Sequence, residues 1–372
     1  MEITDLLIFT QKNKASDLHL SPNSPPILRI NGEMIPYKGA VLLSADEIKQ
    51  MLYAIMTEQQ RTEYERELEL DFAISFGNDL RFRVNVFNTL NGAAAVLRSI
   101  PNRVLSLEEL GAPEILKKLC GLHKGLLLIT GPTGSGKSTT LAAMIDYINT
   151  NDAKHIITIE DPVEFIHNSK KSLINQREVG KSTRSFAKAL RSALREDPDV
   201  VLVGELRDME TIQLALTAAE TGHLVMATLH TNSAPKTIDR IIDVFPSGDK
   251  EMVRAMLSIS LEAVVTQTLL KQKEGGRVAA HEIMLGTPAV RNLIREARIS
   301  QLYSLIQMGS KIGMNTMKDS IFALLNQGII SEEVARSALN TSTSDDSENL
   351  VEKASKAGDH SSSPVKNKAS GF

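Results

Sequence analysis

An α/β chain with a central, mostly parallel sheet, preceded by a smaller mixed domain, is the fold class this sequence predicts. Three observations carry it. Short apolar runs at Gly125–Thr130, 156–159, Val200–Val203 and 224–228 alternate with helical patterns, as buried parallel strands and their crossovers do. A glycine-rich segment, 131–138, separates the first of these runs from the helical stretch 139–148. Before residue 100 the dominant pattern has period two instead, which belongs to half-buried antiparallel strands. At 372 residues the chain is long enough for two domains and a tail.

Taken in order, the opening stretch MEITDLLIFTQKNK carries Glu2 and Asp5 and no basic region ahead of a long apolar run, so it is not read as a secretory signal. Ile27 to Ile30, then Asn31-Gly32, then Glu33 to Ile35 reads as a hairpin, because Asn-Gly tolerates positive φ at both turn positions. From Ala45 to Leu70 the spacing of Ile48, Met51, Leu52 and Ile55 is helical. The alternation of residues 80–86 puts Phe82, Val84 and Val86 on a buried face and Arg81, Arg83 and Asn85 on the other, with 93–98 as partner strand. Pro101, Gly111 and Pro113 punctuate the aperiodic stretch 99–113, where the linker is placed. The expected domains are therefore 1–100, a linker at 101–113, an α/β domain over 114–340 whose part from about 249 to 339 is mainly helical, and a polar tail at 341–372. The tail is rich in Ser, Asp, Lys and Gly and is expected to be disordered. No repeats occur.

Composition excludes several classes. Hydrophobic residues make up 42% and charged residues 23%, ordinary for a globular chain. Lys and Arg total 42 against 45 Asp and Glu, so the basic excess that nucleic-acid binding needs is missing. Cys120 is the one cysteine, which rules out an intrachain disulfide or a four-thiolate zinc site and fits a reducing compartment. No run approaches the ~20 apolar residues of a membrane span.

Gly131-Pro132-Thr133-Gly134-Ser135-Gly136-Lys137-Ser138 fits G-x-x-x-x-G-K-[ST], between a strand and a helix as that pattern requires. Glycines let backbone N–H groups close around phosphate oxygens, and the helix N-terminus adds partial positive charge. Lys137 would reach the β and γ phosphates, and the Ser138 hydroxyl would ligate Mg²⁺. Hydrolysis needs a carboxylate too. Residues 200–203 form an apolar strand leading to Glu205, the candidate for orienting or deprotonating water at the sheet's carboxyl edge. A second strand ends in Glu160-Asp161, with Glu164 nearby. For Glu160 and Glu164 a solvated carboxylate and a catalytic role both stay open, and Glu160 and Asp161 are candidates for holding the metal through water. His223 and His230 frame the strand 224–229. Metal binding would need further ligands at short spacing, so the choice is between structural histidines and γ-phosphate sensing. Arg184, Lys188, Arg191 and Arg195 recur at helical spacing, as a solvated face or an interface stripe. The Arg81/Arg83 face is either solvent-exposed sheet or a source of arginine fingers acting in trans.

GPTGSGKSTT, IITIEDPVEF, RSALREDPDVVLVGELRD and AAETGHLVMATLHT stand in the order and spacing of the Walker A, Asp box, Walker B and His box of secretion ATPases, the ring motors of type II secretion and type IV pili. The resemblance runs from Met1, with SDLHL at 16–20 included, to about Leu339, and leaves out only the tail. It is strongest to the PilT-type pilus retraction ATPases, whose AIRNLIRE motif Ala289 to Glu296 resembles with Val290 in place of Ile. That departure, and Met226-Ala227 in the His-box strand, touch none of the candidate catalytic groups.

The resemblance implies a PAS-like N-terminal domain and a RecA-like motor domain in a homohexameric ring, each N-terminal domain closing over the next subunit's ATP. It implies that Gly134, Ser135, Gly136, Lys137, Ser138 and Thr139 wrap the phosphates, that Glu205 is the catalytic glutamate, that Arg83 with Arg81 contacts ATP, and that His223 and His230 are the His-box members. Relatives that assemble pili or drive type II secretion typically carry a tetracysteine zinc element, which one cysteine excludes, so retraction is favoured. The expectation is a cytoplasmic Mg²⁺-ATP-hydrolysing motor acting at the inner membrane on a pilus platform protein, with a paralogous retraction ATPase as a further partner. An accessory or assembly motor, and an ATP-binding regulator without turnover, are the alternatives. A DNA motor is disfavoured by the charge balance.

Overall fold

Two separate sheets organise the chain, each with its own core. The computed structural model describes residues 2–342 apart from Asn31, Lys38, Ala40, Asn78, Asp79, Pro101 and Asn102. The polar tail, 343–372, lies outside the described residues. The chain divides into one unit up to Val104 that also takes in Asp161–His167, and a second made of Leu105–Glu160 and everything from Asn168 on.

In the first unit, α1 (Ile3–Lys12) leads into β1 (Asp17–Leu20), β2 (Ile27–Ile30) and β3 (Glu33–Pro36), then α2 (Ala45–Ala54) and α3 (Glu58–Glu67). β4 (Glu69–Phe76), β5 (Leu80–Thr89) and β6 (Gly92–Ile100) complete an antiparallel sheet of order β3-β2-β1-β6-β5-β4. β2 and β3 pair with Ile30 opposite Glu33, and Gly32 takes φ +91° in the turn; Asn31 lies outside the described residues. The helical pattern read over residues 45–70 is two helices and the start of β4. Ser44 and Thr57 each open a helix with a reciprocal capping box, using Glu47 and Gln60, and the second cap ends the first helix's register. Phe82, Val84 and Val86 are fully buried on the face the alternation marks, packed with Leu18, Leu52 and Leu97.

The second unit begins with α4 (Glu114–Cys120), β7 (Gly125–Thr130) and α5 (Lys137–Asn151). β8 (His155–Glu160), β9 (Leu173–Glu178), α6 (Phe186–Ala193), β10 (Val200–Val203), α7 (Met209–Glu220), β11 (Leu224–Leu229), α8 (Ala234–Asp243) and α9 (Lys250–Ser260) follow. β12 (Leu261–Lys271) and β13 (Arg277–Leu285) precede α10 (Pro288–Arg295), α11 (Leu302–Met308), α12 (Met317–Asn326) and α13 (Glu332–Ser342). The sheet order is β13-β12-β7-β11-β10-β8-β9, parallel except for β13.

The stretch 249–339, read as mainly helical, holds the helices α9 to α13, and β12 and β13 are the strands within it that the reading did not give. Val264, Val265, Thr266 and Thr268 are β-branched and restrict χ1, and Gly275-Gly276, both at positive φ, close the hairpin. The run is buried on both faces, so it shows no alternation to tell it from a buried helix. Among the described residues no helix is long and apolar enough to cross a membrane.

Candidate active site

β7 is buried along its whole length and delivers the chain to the glycine-rich loop at the sheet's carboxyl edge. Gly131, Gly134 and Gly136 take φ of +144°, +79° and +87°, which L side chains rarely adopt. At Gly131 a Cβ would also stand 2.6 Å from Ser135 Oγ and collide with the carbonyl of Gln267. Lys137 opens α5 and is buried, its Nζ donating to Gly131 O at 2.8 Å and Pro132 O at 3.0 Å. Ser135 Oγ is buried without a hydrogen-bond partner, an acceptor-seeking hydroxyl within the loop. Ser138 and Thr139, half-buried, occupy the next two positions of the helix's first turn. Helix N-terminus, ammonium and an unspent hydroxyl make a cradle suited to phosphate.

The sheet order sets what faces that cradle. β11 lies between β7 and β10, so His230, just past β11, stands between the loop and Glu205, just past β10. His230 Nδ1 is 3.4 Å from Lys137 Nζ, and its Nε2 is 3.4 Å from Glu205 Oε1. An ammonium only donates, so Nδ1 accepts and the ring proton sits on Nε2, toward the carboxylate. Glu205 Oε2 pairs with Arg207 Nη2 at 2.8 Å. Burial acts to raise the Glu205 carboxyl, but the Arg207 guanidinium and His230 outweigh it and hold the group below its ordinary value. The turn bearing Glu205 is pinned from β11: Thr228 Oγ1 donates to Gly204 O at 2.5 Å, and Leu206 N to Thr228 O at 3.0 Å. Lys137, His230, Glu205 and Arg207 thus form one continuous run of polar contacts.

Glu160 ends β8, one strand further along the same edge, and its Oε1 accepts from Thr158 Oγ1 at 2.6 Å and Gln176 Nε2 at 3.2 Å. Among the described residues no group of three or more His, Cys, Asp or Glu is placed to hold a metal ion. A cation here would depend on the Ser138 hydroxyl and on phosphate oxygens, hard donors that suit Mg²⁺.

His223 is a correction. It precedes β11, and Gly125 N, at the start of β7, donates to its carbonyl at 3.0 Å. β7 and β11 are parallel six-residue strands, so His223 lies at the amino edge, ~20 Å from the loop that follows Thr130. Its Nδ1 faces Ala218 O at 3.0 Å, closing the turn after α7. Within its own unit it is not a phosphate contact.

In the first unit, Arg83 on β5 is held by Asp71 on β4, with Nη2–Oδ2 at 2.5 Å and Nε–Oδ2 at 3.0 Å. The hydrogen bond to Asp71 raises its guanidinium above the ordinary value against the pull of burial, and the charges of Asp161 and Glu164 add to that. Arg81 Nη2 reaches Val163 O at 3.5 Å, and its Nε is buried without a partner. Asp161 and Glu164 therefore belong, by their contacts, with the two arginines of the N-terminal unit.

Three residues here escaped sequence reasoning. Arg207 lies inside a quoted motif, and only its distance to Glu205 gives it a role. Thr228 is the one polar residue of its strand, and only its bond to Gly204 O gives it a role. Gln267, on β12, is a lone amide in an apolar run: its Nε2 donates to Ser135 O at 2.7 Å and its Oε1 accepts from Thr140 Oγ1 at 2.8 Å.

The family model described as Type II/IV secretion system protein matches residues 3–337. The chain is 56% identical over 336 residues to the type IV pilus retractation ATPase PilT of Pseudomonas aeruginosa, covering 90% of this chain and 97% of that one. It is 58% identical over 324 residues to a twitching motility protein of Neisseria gonorrhoeae, covering 86% and 85%. A crystal structure of the pilus retraction motor PilT with bound ADP superimposes with a TM-score of 0.84 at 46% identity, covering 95% of this chain and 99% of that one.

Proposed function

This chain belongs to the type II/IV secretion system protein family, and from that premise we propose that it is an ATPase powering type IV pilus retraction and twitching motility. The observation that carries the reading is the continuous run from the phosphate loop through His230 to Glu205 and Arg207 on one sheet edge. The motor has a RecA-like domain built on β7 to β13 and binds nucleotide in the loop 131–136.

On ATP binding Lys137 exchanges the carbonyls of Gly131 and Pro132 for phosphate oxygens, and the Gly134 to Thr139 N–H groups turn onto the phosphates. Mg²⁺, when bound, would offset the charge of the phosphates. Ser138 would hold it, with Glu160 reaching it through water. Glu205, ionised because Arg207 and His230 favour its charged form, orients the attacking water and accepts its proton. His230, bonded on one side to Lys137 and on the other to Glu205, couples the two, so that arrival of the γ-phosphate at Lys137 is felt by the base.

Arg83 and Arg81 act as fingers toward a neighbour's ATP in a hexameric ring. Arg83 is already committed to Asp71, so its engagement is an exchange of carboxylate for phosphate, a two-state element suited to closing and releasing an interface. The ring works at the inner-membrane face on a pilus platform protein.

Replacing Glu205 by Gln should cut phosphate release ~10³-fold while magnesium–ADP still binds. Cells lacking the gene should carry abundant pili and fail to twitch, rescued by wild type and not by Glu205→Gln; bald cells would make it an assembly motor. Mixing inactive Lys137→Ala and Arg83→Ala proteins tests the fingers. Shared sites between subunits would recover up to about a quarter of wild-type turnover, as random assembly leaves that share of interfaces intact. No recovery would place Arg83 in its own chain's site or in none.

A further inference from the structure

We infer that Gln267 is a positioning residue of the phosphate loop, its side-chain amide fixing the peptide between Ser135 and Gly136 so that the Gly136 N–H faces the phosphates of a nucleoside di- or triphosphate. The identity of the ligand rests on the ATPase reading above; the positioning role goes beyond it.

The placement follows from strand lengths. β12 runs parallel to β7 with Thr266 opposite Thr130, and the two hydroxyls bond at 2.8 Å inside the sheet. β7 stops there, whereas β12 continues to Lys271, so Gln267 is the first residue of β12 to lie beside the loop instead of beside a strand. Only 2% of it is exposed. Its backbone carbonyl faces Gly131, the loop's first residue, and its side-chain nitrogen would stand 2.8 Å from a Cβ on Gly136, the loop's last. One residue therefore touches both ends of the loop.

The chemistry lies in the peptide plane. In a trans peptide the C=O and the following N–H point to opposite sides. Gln267 Nε2 draws the Ser135 carbonyl toward β12 with a 2.7 Å bond, which turns the Gly136 N–H the other way, into the concavity of the loop. Without that bond the Ser135–Gly136 peptide, flanked by a glycine free to rotate, could turn its carbonyl inward and set an oxygen against the phosphates. Thr140 completes the device. An amide can present either end; the Ser135 carbonyl only accepts and so takes the NH₂, and the Thr140 hydroxyl, donating to Oε1 at 2.8 Å, holds the other end in that orientation.

The test uses the full-length protein and calorimetric titration with magnesium–ADP, with circular dichroism and the ligand-free unfolding midpoint measured beside it. Gln267→Met keeps length and removes both bonds, Gln267→Glu keeps the acceptor and sets an oxygen against the Ser135 carbonyl, and Thr140→Val removes the anchor at the Oε1 end and loosens the amide. Each Gln267 variant should weaken magnesium–ADP by at least 10-fold and Thr140→Val by about 3-fold, and Thr140→Val should add nothing in the Gln267→Met background. A purely structural role would shift the midpoint and leave the affinity of the folded protein alone. Folded Gln267 variants that bind within twofold of wild type, or a Thr140→Val effect that persists undiminished in Gln267→Met, would overturn the inference. Should Gln267→Met not fold, Gln267→Glu and Thr140→Val carry the test on their own. A wild-type protein that binds no magnesium–ADP would sink the ATPase reading instead.

Discussion

Between Lys137 and Arg207, four side chains from three segments (the start of α5, the loop after β10 and the loop after β11) share one polar run, and its electrostatics are a balance of opposed effects. Burial works against ionisation of Glu205, and Arg207 and His230 reverse the sign. Remove Arg207, by Arg207→Met, and burial prevails: the carboxyl rises, and the acid limb of the turnover-against-pH profile moves toward neutrality. In wild type, the stability gained from this lowered carboxyl is present above the ordinary glutamate range and lost as pH falls through the lowered value. An unmoved acid limb in Arg207→Met would mean that another group limits the rate. The residue scale is also where the sequence was most and least legible. The G-x-x-x-x-G-K-S pattern announces itself because each position has one chemical duty. Arg207 and Gln267 do not, since their duties exist only once β10, β11 and β12 are side by side. His223 and His230 flank one strand symmetrically in sequence, yet strand polarity puts only His230 at the edge where the loop emerges.

Elements differ in how much of their burial leaves a trace in the pattern. β5 is buried on one face and alternates, so its residues could be assigned to faces without a structure. β12 is buried on both, and its Leu, Val and Thr run looks the same as one from a core helix. α10 carries the segment resembling the retraction motif, and the structure separates two kinds of arginine in it. Arg291 is anchored inward: Nε donates to Gly286 O at 2.6 Å, Nη1 to the Ser258 and Ile259 carbonyls, and Nη2 pairs with Glu262 at 2.7 Å. Arg295 is exposed. Arg291→Ala should therefore cost about 2 kcal/mol, roughly 6 °C in the unfolding midpoint of the C-terminal unit, because it strands several carbonyls. Arg295→Ala should leave the midpoint within a degree or so, and any loss of twitching it causes would then report on a partner. Equal thermal losses in the two variants would contradict this division.

For the whole molecule the lone cysteine is a built-in reporter. Cys120 is 1% exposed beneath α5, and burial pushes its thiol up to about 12. The stability tied to that raised value is complete below the ordinary thiol range and lost as pH climbs through about 12. At pH 8 a thiol reagent should label the folded protein at least ~1,000-fold more slowly than the denatured chain, and nucleotide should slow it further. Rapid labelling of the folded protein would show that α4 opens locally. The backbone's route adds a constraint of another kind. Since Asp161–His167 joins the N-terminal unit, the chain passes between units at 104–105, 160–161 and 167–168. A protease cutting only at the first passage would nick the protein without liberating a whole N-terminal unit. Force is shared likewise: a pull on that unit runs through three tethers, and one of them begins at Glu160, the last residue of β8. Mechanical load and the nucleotide-facing edge of the sheet are thereby joined by a single peptide bond, with no intervening lever.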